Sequence, residues 1–128
     1  MSKILVLDDD LSNAEVIQLV LESEGFEVER ICNSHLLNSS IKCFCPDLIL
    51  MDILLDANDG RNICNKLKGD NRTRNIPVML ITAMLDSQVG DIPCHADAVM
   101  FKPFEYMKLA NKVRGLLRQS SLRAEARN

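Results

Sequence analysis

Four short runs of uninterrupted apolar residues, each stopping at a residue able to do chemistry, constrain this chain more than any other feature. Ile4-Leu5-Val6-Leu7 ends in Asp8-Asp9-Asp10, Leu48-Ile49-Leu50-Met51 in Asp52, Val78-Met79-Leu80-Ile81 in Thr82, and Ala98-Val99-Met100-Phe101 in Lys102. Each run has strand length. A strand that is apolar on both sides is buried on both faces, as in a parallel sheet covered by helices.

The segments between these runs read as helices and one further strand. Ser12 with Glu15 forms a capping box, and Val16, Ile17, Val20 and Leu21 repeat at helical spacing until Gly25 closes the helix. Phe26 to Ile31 alternates as a strand at a sheet edge should, and a short helix is expected over 34–44. Ile63, Cys64 and Leu67 mark a third helix, while Gly90 and Pro93 limit any helix between Asp86 and Asp97 to about two turns. The last helix is expected from about Glu105, with Met107, Ala110, Val113 and Leu117 inward, ending near Gln119. Five strands alternating with five helices predict an α/β fold with a doubly wound parallel sheet, because each strand-helix-strand crossover is right-handed and covers one face or the other.

Composition fits one domain. A chain of 128 residues that is 47% hydrophobic and 26% charged buries roughly two thirds of its unfolded surface, which excludes disorder and makes a metal or disulfide staple unnecessary. The aromatic share is 4%, without Trp, so the core must be aliphatic. The five cysteines, Cys32, Cys43, Cys45, Cys64 and Cys94, are odd in number and give no C-x-x-C pair, and His35 and His95 complete no zinc pattern. We read them as free thiols in the core of a cytoplasmic protein, with Cys43 and Cys45 as core fillers. Met1 leads into Lys3 and a short apolar run rather than a secretory signal, and no apolar stretch is long enough to cross a bilayer, so no membrane partner is expected.

The net charge of −3 conceals an asymmetry: residues 1–101 hold 8 Lys and Arg against 16 Asp and Glu, and residues 102–128 hold 7 against 2. An acidic chain is a poor ligand for phosphate backbones, which argues against direct nucleic-acid binding. It suits a cation site better. Lys108, Lys112 and Arg118 read as a solvated face of the last helix, with docking of an acidic partner as the alternative.

In a parallel sheet all strand carboxyl ends share one rim, where ligands sit near the point at which the strand order reverses. Strand-end Asp and Thr residues are individually ordinary turn formers; it is their joint placement that points to a site. Crowded carboxylates raise one another's pKa unless a cation neutralises them, and a hard divalent ion with oxygen ligands, Mg²⁺ or alternatively Mn²⁺, is the economical solution. An added lysine and threonine suit recognition of a phosphoryl group, and a facing carboxylate is then a nucleophile that forms an acyl phosphate.

The order Leu7-Asp8-Asp9, Asp47 through Asp52-Ile53, Ile81-Thr82-Ala83 and Phe101-Lys102-Pro103-Phe104 resembles the receiver domain of two-component response regulators, over residues 3 to about 118. The resemblance implies a flavodoxin-like strand order 2-1-3-4-5. It implies that Asp52 accepts a phosphoryl group from a sensor histidine kinase or phosphotransfer protein, and that Asp8, Asp9, Asp52 and the backbone carbonyl of Leu54 hold Mg²⁺. Thr82 and Lys102 would contact the phosphoryl oxygens, and the Lys102-Pro103 bond would be cis. The domain would then be no enzyme beyond its own phosphorylation and slow autodephosphorylation. Residues 1–119 would form the receiver and 120–128 a polar tail or linker stub, acting on a downstream protein target or a fused output domain.

The chain departs from the family pattern in places. Val99 stands where an aromatic residue often takes part in switching, and Asp56 where a proline commonly follows the phosphorylated strand. Leu54 and Met84, two residues after Asp52 and Thr82, cannot orient a hydrolytic water by hydrogen bonding, so a long-lived phospho-form is expected. Two other readings compete. Asp8-x-Asp10-x-Ser12 mimics the nucleophile motif of haloacid-dehalogenase-like phosphatases, although that leaves Asp52 unexplained. Val99 and the broken fourth helix suit a degenerate, non-phosphorylated scaffold. His35, expected near a helix start on the surface, and His95, in the irregular segment, are given no phosphorelay role.

Overall fold

The computed structural model describes residues 1–55 and 58–127; Asp56, which stands where the family commonly has a proline, lies outside them. The order is β1 (Lys3–Leu7), α1 (Leu11–Ser23), β2 (Glu27–Ile31), a 3₁₀ turn (Ser34–Leu36) running into α2 (Leu37–Phe44), and β3 (Leu48–Asp52). There follow α3 (Gly60–Gly69), β4 (Val78–Thr82), α4 (Asp86–Val89), β5 (Ala98–Phe101) and α5 (Tyr106–Arg127). All four strand pairings are parallel and the sheet order is β2-β1-β3-β4-β5, as the apolar runs and the resemblance predict.

The runs are apolar throughout because both sides of the central strands are covered. Successive side chains of a strand face opposite ways, and the core accordingly splits in two. Ile4, Val6, Leu48, Leu50, Met79 and Ile81 pack with Ala14, Ile17 and Leu21 of α1 and with Leu109, Ala110, Val113 and Leu116 of α5. Leu5, Leu7, Ile49, Met51, Val78 and Leu80 pack with Leu37 of α2 and with Cys64 and Leu67 of α3. Strand β2, which alternates, is an edge strand; β5, the other edge, is half-buried throughout.

Several local expectations are corrected. Helix α1 is capped by Asp10, whose carboxylate accepts from the Asn13 amide at 3.2 Å, so the helix begins before Ser12 and its capping box goes unused. An aspartate just upstream does the same job. Gly25 ends the helix at φ +94°, a conformation that costs glycine little. Helix α5 continues to Arg127 rather than ending near Gln119, so residues 120–127 of the stretch read as a polar tail are helical. Its buried stripe is Leu109, Ala110, Val113 and Leu116, while Met107 is exposed. Of the five cysteines only Cys64 is buried; Cys94 is half-buried, and Cys32, Cys43 and Cys45 are exposed, because the edge strand and the two-turn α2 leave these positions facing outward. His35 and His95 are exposed, in the 3₁₀ turn and in the irregular segment, as expected.

Candidate functional site

The order reverses between β1 and β3, so the rim at Leu7 and Met51 is where a parallel sheet offers a ligand site. Three of the polar strand-end residues lie in the interior there: Asp8 is 1%, Asp52 7% and Thr82 0% exposed. A buried charge needs partners, and each carboxylate has them. The Lys102 ammonium lies 2.8 Å from Asp52 Oδ2. Asp52 Oδ1 accepts from the Leu54 amide at 3.1 Å. Asp8 accepts from the Asp10 amide at 2.9 Å and from Asn13 Nδ2 at 2.6 Å. Thr82 Oγ1 accepts from the Met84 amide at 2.9 Å, and the Lys102 amide donates to the Thr82 carbonyl at 2.7 Å, locking the two strand ends together. The Lys102-Pro103 bond is cis, as the resemblance implies.

Electrostatics follow from this packing. Burial pushes the Asp8 carboxyl above its ordinary value; hydrogen bonds from Asp10 and Asn13 pull it down, and the charge of Asp52 lifts it further. Burial works against the Lys102 ammonium, but the hydrogen bond and charge of Asp52, with the charges of Asp8 and Asp10, outweigh it and hold the lysine above its usual value. The site is thus an acidic pocket answered by one ammonium.

Asp9 is half-buried beside Asp8, and Leu54 lies in the loop after Asp52, bridged antiparallel to Asp59. Among the described residues no three His, Cys, Asp or Glu side chains are gathered at metal-binding distance; Asp8 is turned onto Asn13 and Asp52 onto Lys102. The donor chemistry of the set is all oxygen, which matches a hard divalent cation. A groove of about 890 Å³ between α2 and α3, floored by Leu37, Ile41, Ile63 and Leu67, shares no residue with the rim. A smaller cavity of about 380 Å³ between α1 and β2 reaches Asp8.

Three supporting residues carry no clear signal of their role in the sequence. Asn13 orients Asp8. Gly60 packs so closely on the backbone after β3 that an added Cβ would sit 2.4 Å from the Asp52 carbonyl oxygen; the Asp59-Gly60 pair is the one local hint. Arg61 is buried and bonds Asp59, although in sequence it reads as an ordinary surface charge. Val99, where the resemblance leads one to expect an aromatic residue, is half-buried among residues of the α3 side.

The family model of the response regulator receiver domain matches residues 4–114. The chain is 31% identical over 122 residues to the DNA-binding dual master transcriptional regulator RpaA of Synechocystis sp., covering 94% of this chain and 51% of that protein. It is 33% identical over 120 residues to the DNA-binding response regulator MtrA of Mycolicibacterium paratuberculosis, covering 92% and 52%. It thus spans about half the length of these relatives. Among solved structures, the signal receiver domain of a signal transduction histidine kinase from Syntrophus aciditrophicus superposes with a TM-score of 0.85 at 33% identity, covering 93% of this chain and 92% of that one. With the strand order, the rim residues and the family match in agreement, the chain belongs to the response regulator receiver domain family of two-component systems.

Proposed function

We propose that Asp52 is the phosphoacceptor of this receiver, taking its phosphoryl group from a phosphohistidine on a sensor kinase or phosphotransfer protein. The carrying observation is the 2.8 Å contact between Lys102 and Asp52 on a rim where Asp8 and Thr82 are also buried. An Asp52 oxygen attacks phosphorus, the P–N bond breaks with its electron pair passing to the imidazole, and an acyl phosphate forms. Lys102 neutralises charge on the phosphoryl oxygens. Thr82, whose oxygen already accepts from Met84, has its hydroxyl proton to donate to another of them.

Asp8, Asp9, Asp52 and the Leu54 carbonyl would hold Mg²⁺, with Mn²⁺ as the alternative. The burial and charge that lift Asp8 are what a hard cation relieves. When bound, the ion supplies further charge neutralisation at the phosphoryl oxygens. Acetyl phosphate with Mg²⁺ tests the reading: the wild type becomes phosphorylated, Asp52→Asn does not, and labelling that persists in the variant overturns it.

The domain's own chemistry ends with slow autodephosphorylation. Leu54 is 56% exposed and Met84 is partly buried; neither orients a water, which supports a long-lived phospho-form. Phosphate loss is expected to be faster in Leu54→Asn or Met84→Glu, and a wild-type lifetime of seconds, or no difference between the proteins, contradicts this. Residues 1–119 form the receiver proper, and the turns of α5 beyond it, where Arg123 still pairs with Asp97 at 3.8 Å, would join an output domain or face a separate protein target. The relatives' DNA binding is not carried by this acidic receiver, and the setting is cytoplasmic. No described helix is long and apolar enough to cross a membrane. The phosphatase reading is not favoured, because it assigns no role to Asp52, the carboxylate that Lys102 engages. The scaffold reading is disfavoured by the intact set of Asp8, Asp9, Asp52, Thr82 and Lys102.

A further inference from the structure

Between Ala83 and Asp97 no residue is fully buried, and α4 contributes only four residues. Met84, Val89, Cys94 and Ala96 pack in part against the core, and a polar ladder on α3 fastens the backbone of the segment. Arg61, Asn65 and Lys68 recur at the i, i+4, i+7 spacing that places them on one helix face. Arg61 Nη1 donates to the carbonyls of Gln88 and Val89, each at 3.0 Å, at the end of α4. Asn65 Nδ2 donates to the Pro93 carbonyl at 2.8 Å, and its Oδ1 accepts from the His95 amide at 3.2 Å. Lys68 Nζ lies 2.8 Å from Asp97 Oδ2, which also accepts from the Val78 amide at 2.8 Å.

The top rung differs from the others because it also reaches the acidic pocket. The buried Arg61 guanidinium grips Asp59 in a fork, Nη2 to Oδ2 at 2.7 Å and Nε to Oδ1 at 3.0 Å. Asp59 caps α3 and is bridged to Leu54, two residues after Asp52. Gly60 N donates to the Ile53 carbonyl at 2.8 Å. A guanidinium is planar and rigid, so moving either partner moves the other.

We propose that Arg61 is a positioning residue that couples the loop carrying Asp52 and Leu54 to α4 and the segment after it, supplying a link between pocket and surface where Val99 provides no aromatic one. This rests on the receiver reading above. Pocket occupancy would then be felt at residues 88–97 through the Asp59–Arg61 fork.

Amide hydrogen exchange on the full chain, with and without Mg²⁺ and beryllofluoride, tests the coupling. The amides of Gln88, Val89 and Asp91, each hydrogen-bonded within the segment, report the response, and the chemical shifts of Asp52 and Leu54 report binding. In the wild type the probe is expected to change exchange at these amides at least threefold. In Arg61→Gln the probe still binds, basal exchange rises about tenfold, and the probe-dependent change is lost. A purely structural role for Arg61 would raise basal exchange and leave the response, which overturns the proposal. Arg61→Lys keeps the charge without the fork and is expected to lose the response too, so it serves where Arg61→Gln does not fold. If the wild type binds beryllofluoride and residues 88–97 do not respond, the coupling falls and the receiver reading stands. If Asp52 and Leu54 do not shift, both fall.

Discussion

On one face of the sheet, α1 and α5 bury Ala14, Ile17, Leu21, Leu109, Ala110, Val113 and Leu116 against the strands, and Arg114 of α5 pairs with Glu24 at the end of α1. On the other face, α2 and α3 contribute Leu37, Cys64 and Leu67, while α4 buries nothing fully and is held by hydrogen bonds from Arg61. Apolar burial is non-directional and stabilises whatever position excludes water. Hydrogen-bonded latches are directional and can exchange partners with water, at a net cost of about 1.5–3 kcal/mol each where the donor is charged. The contrast gives the receiver a rigid frame on one side and a releasable segment on the other, with the acidic pocket at the rim between them.

The largest effect should come from the rigid face. Ile17 is fully buried, and Ile17→Ala should cost about 2–5 kcal/mol in denaturant unfolding, through lost transfer energy and the cavity left behind. Next is Gly60→Ala, where the new methyl meets the Asp52 carbonyl oxygen. It should cost roughly 1–3 kcal/mol and, unlike Ile17→Ala, should slow phosphorylation of the folded protein by displacing Asp52.

Asp8→Asn has the opposite sign. The folded-state pKa of Asp8 is raised above its ordinary value of 3.8, so ionising it costs stability as pH rises from that value through the folded one. Asparagine removes this cost, and Tm measured without divalent ions at neutral pH should rise. The gain should vanish as pH falls below 3.8, and Mg²⁺ should stabilise the wild type more than the variant. The smallest effect is expected in the loose segment: Val89→Ala, in α4, should cost about 0.5 kcal/mol. A cost near that of Ile17→Ala would mean that α4 is part of the rigid frame after all, and would break the contrast between the faces.

The frame and the rim are legible in the sequence because both follow from local pattern. A strand buried on two faces must be apolar at every position, and a parallel sheet must bring its strand ends together, so the order of the runs alone places Asp8, Asp52, Thr82 and Lys102 on one rim. What the sequence obscures depends on phase or on distant partners. Ser12 and Glu15 form a plausible cap, but Asp10 already provides one just upstream. The inward stripe of α5 is legible at Ala110 and Val113, but Met107 and Leu109 are both apolar at helical spacing from them, and only the packing decides that Leu109 is the buried one. Cys43 and Cys45 are apolar in type but fall at the end of a short helix on its open side. Arg61 is invisible as a latch because the carbonyls it holds are 27 and 28 residues away, and no local pattern records them.

The central claim is that Asp52 is the acceptor, and chemical trapping tests it most directly. Borohydride reduces an acyl phosphate to the corresponding alcohol, so the full chain phosphorylated under Mg²⁺ and then reduced should carry homoserine at position 52 and nowhere else. Homoserine at position 8, with residue 52 unchanged, would contradict the account.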